Sequence, residues 1–199
     1  MVNAFKQWEE FLNPELTRPR LISASIYIAC YESLKQSIID RLREFFWSGF
    51  NEKGNIIDPK YSSDVLSRNK SVLYASLDWL KENDVINDSD IVSFENVKRC
   101  RNQLAHGLLA LLADGGLPPD FKSCFDSMVA LLRKIEVWWI TNVEIPTNPD
   151  YDGKEIGEKG IIPGPIMSIQ LLHDIALGSV EESRFYYEQF KKELGNRGA

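Results

Sequence analysis

The chain has 199 residues and a net charge of −6. That length supports one domain with a sizeable core. The acidic balance excludes a surface that grips long nucleic-acid duplexes by charge alone, since such binders neutralise many phosphates with Lys and Arg; a local contact to RNA stays open. The start, Met1 to Glu10, carries acidic residues where a secretory signal needs an apolar core, and no apolar run approaches the roughly 18 residues of a membrane span. Cys30, Cys100 and Cys124 stand far apart without a Cys-x-x-Cys pair. We therefore expect a cytoplasmic protein with no membrane contact, reduced buried thiols and no structural zinc.

In chain order, a helix is predicted from Val2 to Leu12 and stops at Asn13-Pro14, because proline disfavours helix in the residue before it. Leu16 to Pro19 reads as a connector. From Arg20 to about Phe50, Tyr27, Tyr31, Leu34, Ile38, Leu42 and Phe45 recur at three- and four-residue steps and predict a long central helix. Asn51 to Ser62, with Gly54, Asn55, Asp58 and Pro59, reads as a loop. Ser63 is a candidate cap for a helix to about Glu82. After a break, a helix capped by Asp88 or Ser89 runs to Ala113 and ends at Asp114-Gly115-Gly116-Leu117-Pro118-Pro119. Another runs from Pro119 to about Asn142. Val143 to Pro165 reads as a long loop with a candidate strand at Gly160-Ile161-Ile162, and two helices close the chain, Ile166 to Leu177 and Val180 to Leu194. The fold class is all-α: an antiparallel helical bundle over residues 1–142, then a loop and helical C-terminal extension over 143–199 packed on the same domain.

The chemistry concentrates in Lys98-Arg99-Cys100-Arg101-Asn102-Gln103-Leu104-Ala105-His106-Gly107, inside the predicted helix to Ala113. With about 100° per residue, Val97, Cys100, Leu108 and Leu111 fall within about 40° of Leu104 and mark the core stripe. Asn102 and His106 lie on the opposite side, and Arg101 sits at the edge, about 140° from His106. Leu109, Ala110 and Ala113 continue the outer face with apolar residues. A helix apolar on both sides is covered on both, so either another helix of this chain or the same helix of a second copy packs there.

Histidine near neutral pH can take a proton from a ribose 2′-hydroxyl or give one to a leaving oxygen. Arginine can hold and stabilise the charged phosphate oxygens, and asparagine can orient either group. Together Arg101, Asn102 and His106 suffice for metal-independent RNA cleavage ending in a 2′,3′-cyclic phosphate. Taken as a bare pattern, the same residues equally describe a solvated helix edge.

Arg101-Asn102-Gln103-Leu104-Ala105-His106 resembles the Arg-Asn-x-x-x-His signature of the HEPN superfamily, the higher eukaryote and prokaryote nucleotide-binding domains, and the turn Asp84 to Asp90 before it is similar to many members. The resemblance implies a helical domain that dimerises with two motifs meeting in one cleft, needs no cofactor, and cuts RNA as a toxin or antiviral defence protein. Arg101 and His106 would be catalytic and Asn102 supporting, and an antitoxin or other protein partner would be expected. Some members instead bind nucleotides or proteins without catalysis, and that alternative stays open. A toxin subfamily modified on a Tyr two residues after the His is not matched, since Leu108 stands there. Members also place a polar residue from an earlier helix near the cleft, for which Glu32 and Lys35 are the candidates.

Lys98 and Arg99 add a local basic patch that could guide RNA, against the common reading of helix charges as merely solvated. His173 reads as an ordinary surface or partly buried histidine. Phe185, Tyr186, Tyr187 and Phe190 are spaced for packing more than for stacking bases.

Overall fold

Asn13 starts the longest helix of the fold. In the computed structural model, which describes residues 2–113, 116–154 and 156–197, α1 (Val2–Leu12) ends one residue before it and α2 runs Pro14–Phe45. The Asn13 side chain accepts from the Glu15 N–H at 3.0 Å, and Pro14 sits in the first turn, where its missing N–H costs nothing. The expected connector over Leu16 to Pro19 is therefore helical. Pro19 removes one N–H from the ladder, and a helix anchored on both sides tolerates that loss. Thr17 Oγ1 donates to the Phe11 carbonyl at 2.6 Å and fixes the corner between α1 and α2.

α2 stops at Phe45, short of the expected Phe50, because the chain turns into a hairpin. β1 (Trp47–Asn51) pairs antiparallel with β2 (Gly54–Ile57). Gly49 and Gly54 hold φ of 137° and 115°, values that suit glycine and allow the bulge and the tight turn. Helical spacing and turn composition together concealed this hairpin in the sequence.

Ser63 caps no long helix. Residues Tyr61–Val65 form a π turn and Leu66–Arg68 a 3-10 turn, after which Asn69 is extended and accepts from the Ser71 N–H at 3.0 Å. α3 then spans Val72–Glu82 and α4 spans Asp88–Ala113. The cap of α4 is Asn87 rather than Asp88 or Ser89. Its side chain accepts from the Asp90 N–H at 3.1 Å, while the Asp90 carboxylate accepts from the Asn87 N–H at 2.8 Å, a reciprocal capping box. Of the expected stop signal, Asp114 and Gly115 lie outside the described residues. Gly116, at φ 125°, donates to the Leu111 carbonyl at 2.8 Å.

α5 (Phe121–Trp139) passes into a π turn over Ile140–Glu144 and the short α6 (Ile145–Thr147), so helical backbone extends past the expected end at Asn142. No strand forms at residues 160–162: Glu158–Gly160 is a 3-10 turn, and the Ile161 carbonyl accepts from Arg133 at 2.9 Å. α7 (Gly164–Leu177) and α8 (Val180–Arg197) close the chain. Apart from the hairpin, the regular elements among the described residues are helical, and the fold is all-α.

α2 is the central strut, packing against α3, α4, α5 and α7, while α4 also packs on α5. Its Tyr27, Leu34, Ile38 and Leu42 meet Phe94, Val97 and Leu104 of α4 and Met128, Leu132 and Ile135 of α5 in one buried cluster. α7 lies on α2 and α5, and α8 rests on α7. One stretch departs from the hydropathy reading: within Glu158–Leu177 a window of 18 residues reaches a mean hydropathy of 1.3 with 17% of it buried, enough to cross a membrane by length and composition alone. Its α-helical part, α7, has 14 residues, or about 21 Å against the roughly 30 Å of a hydrocarbon core.

Candidate functional site

The burial pattern of α4 follows the wheel. Val97, Cys100, Leu104 and Leu112 are buried and Leu108 and Leu111 half-buried, whereas Asn102, His106, Leu109, Ala110 and Ala113 are exposed. Leu109 is 76% exposed. No helix of this chain covers that face among the described residues, which removes the first of the two expected coverings.

His106 stands free on this surface, with no hydrogen bond or ion pair to the described residues. Asn102, one turn earlier, shares its side of the helix and accepts from Arg101 Nη1 at 3.4 Å. Arg101 turns the other way. Its guanidinium lies 5.3 Å from the centroid of the Tyr31 ring and donates through Nη2 to Glu32 Oε1 at 2.8 Å. Its Nε is buried and finds no partner among the described residues. The three residues of the motif are therefore close along α4, but Arg101 faces Glu32 and Tyr31 of α2 and makes no hydrogen bond to His106.

Glu32 is held between two cations, Arg101 and Lys35 at 3.4 Å. Burial pushes its carboxyl up, yet the hydrogen bonds and charges of Arg101 and Lys35 outweigh that and hold it below the usual carboxylate range. Of the polar residues on α2, Glu32 thus touches the motif directly and Lys35 acts through it. The aromatic platform is less legible in sequence, because Tyr31 sits in the buried stripe of α2 and reads there as a core residue, while the Arg101 guanidinium lies over its ring.

Lys98 and Arg99 diverge. Lys98 Nζ contacts the Tyr74 hydroxyl at 2.6 Å, and that hydroxyl donates to Glu95 at 2.7 Å. Arg99 binds the Asp120 carboxylate at 2.8 Å and the Asn96 side-chain carbonyl at 3.0 Å. Asp120, beside Arg99, is held below its usual range. Glu95, Lys98, Arg99, Asn102 and Gln103 line one shallow depression along α4, so both basic side chains border the surface that carries Asn102, each already tied to an acidic or aromatic neighbour.

The remaining candidates fall outside this surface. His173 is exposed, with Nδ1 3.4 Å from the adjacent Asp174 carboxylate. Tyr186 donates to Asp174 at 3.1 Å, whereas Phe185, Tyr187 and Phe190 are more than half exposed and do not pack as their spacing suggested. Cys100 and Cys124, distant in the chain, meet between α4 and α5 next to Asp120. All three cysteines are free and buried.

Compared with family models, curated proteins and solved structures, the chain finds no match.

Proposed function

We propose that the chain is a HEPN-like endoribonuclease that works as a homodimer, with RNA as substrate and a role as a toxin or antiviral effector. The observation that carries this reading is the uncovered outer face of α4, where His106 and Asn102 stand beside exposed Leu109, Ala110 and Ala113. Apolar residues at that spacing fit a helix packed on its own copy across a two-fold axis. Such packing brings two His106 and two Asn102 together and offers the Arg101 of one copy a route to the His106 of the other.

In the reaction, His106 removes the proton of a ribose 2′-hydroxyl. The oxygen attacks the adjacent phosphorus, the 5′-oxygen leaves with a proton supplied by water, the imidazolium returns its proton to the resulting hydroxide, and a 2′,3′-cyclic phosphate remains. Arg101 leaves its pairing with Glu32 to hold the phosphate oxygens, and Lys98 and Arg99 border the path of the strand. Purified protein incubated with total RNA and no added divalent cation is expected to yield fragments with cyclic-phosphate ends. RNA left intact under those conditions contradicts the proposal.

A second reading, a non-catalytic module of the same family type that binds a nucleotide or protein, is favoured by one observation: Arg101 is already paired with Glu32 and stacked on Tyr31. A protein that leaves RNA intact but gains thermal stability with a nucleotide fits this second reading.

A further inference from the structure

We propose that Cys100, Cys124 and Asp120 form a binding site for a thiophilic divalent cation, zinc foremost, that clamps α4 to the start of α5. The ligand atoms of these three residues lie within 4.8 Å of one another. Cys124 Sγ is 3.7 Å from Asp120 Oδ2. In a tetrahedral zinc site, with sulfur at about 2.3 Å and oxygen at about 2.0 Å, neighbouring sulfur and oxygen ligands stand about 3.5 Å apart. Small side-chain adjustments therefore bring all three onto one ion. Asp120 immediately precedes α5 and Cys124 lies one turn later, so the pair shares a face and looks across to Cys100 on the core side of α4.

The surroundings complete the argument. Arg99 donates to the same Asp120 oxygen at 2.8 Å and to Asn96 at 3.0 Å, which fixes the carboxylate as outer partners fix metal ligands. Two thiolates, one carboxylate, one guanidinium and a doubly charged ion sum to zero, so the occupied site carries no net buried charge. The Tyr27 hydroxyl faces the pair from α2. The ion displaces the two thiol protons as it forms its two sulfur bonds. The Asp120 side chain is 38% exposed and gives the ion an entry path and a fourth, water-filled position. The site stands on the core face of α4, opposite the His106 face that carries the RNA-cleavage reading, and shares with that reading Arg99 alone.

Cobalt(II), added to the full chain under a phosphine reductant, tests the site. We expect a sulfur-to-cobalt charge-transfer absorption that saturates at one ion per chain, disappears on adding zinc, and accompanies a rise in thermal midpoint with zinc. Cys100→Ser and Cys124→Ser are expected to lose the absorption, Asp120→Asn to weaken cobalt binding, and Cys30→Ser to retain it. Circular dichroism identifies any variant that fails to fold, and Asp120→Asn, altered at the surface, keeps the test valid if a sulfur variant does. A folded wild-type chain without the absorption overturns the site. So does an absorption that survives Cys100→Ser.

Discussion

His106→Ala is expected to reduce RNA cleavage by about 100-fold to 10,000-fold, the range over which a positioned general acid or base acts. Because the imidazole is exposed and makes no bond to the described residues, the fold should feel the change by less than about 0.5 kcal/mol. Loss of cleavage with an unchanged unfolding midpoint is thus the signature. Arg101→Ala should also abolish cleavage, but it strips Glu32 of a partner and Tyr31 of its stacked cation, so it should lower stability by about 1 kcal/mol as well. Comparing the two variants by cleavage rate and by urea midpoint separates catalysis from support. A His106→Ala protein that cuts RNA at the wild-type rate contradicts the assigned chemistry.

The second large effect concerns stability and lies at the other end of the bundle. Glu136 on α5 is 1% exposed, yet it carries a carboxylate into the core. It is satisfied by Arg41 of α2 at 2.6 Å and by the Ser37 hydroxyl, while Arg41 also reaches Glu144. Arg41→Ala leaves this buried charge without its cation and is expected to destabilise the protein by about 3 kcal/mol, whereas replacing Arg41 and Glu136 together by Met and Leu should recover most of that loss. Urea unfolding of the two variants measures the difference. Equal midpoints for Arg41→Ala and the wild type contradict the view that Arg41 neutralises Glu136.

Much of the helical frame was legible because long amphipathic segments announce themselves. The ends of α1, α4 and α7 fall within two residues of their sequence expectations, and the two faces of α4 separate as the wheel required. The failures have physical causes. Leu16 to Pro19 was read as a connector, although a helix already capped by Asn13 absorbs the one N–H that Pro19 lacks. The hairpin at Trp47–Ile57 was hidden because its aromatic residues also fit the spacing of the preceding helix, and only the positive φ of Gly49 and Gly54 reveals the turn away from it. At the site, sequence placed Asn102 and His106 well and left Arg101 at an edge. What it lacked was the tertiary partner: Glu32 and Tyr31, seventy positions away in effect, decide where the guanidinium points. The meeting of Cys100 with Cys124 is likewise a product of α4 packing on α5, with no spacing signature of its own.

The central claim is that two copies share one active site, with Arg101 of one acting beside His106 of the other. Mixing Arg101→Ala protein with His106→Ala protein, each inactive and folded, tests it most directly. Exchange of subunits gives mixed dimers in which one cleft holds an intact Arg101 and an intact His106, so cleavage should return to a substantial fraction of the wild-type rate. A mixture that exchanges subunits and remains inert, beside an active wild type, contradicts the shared site.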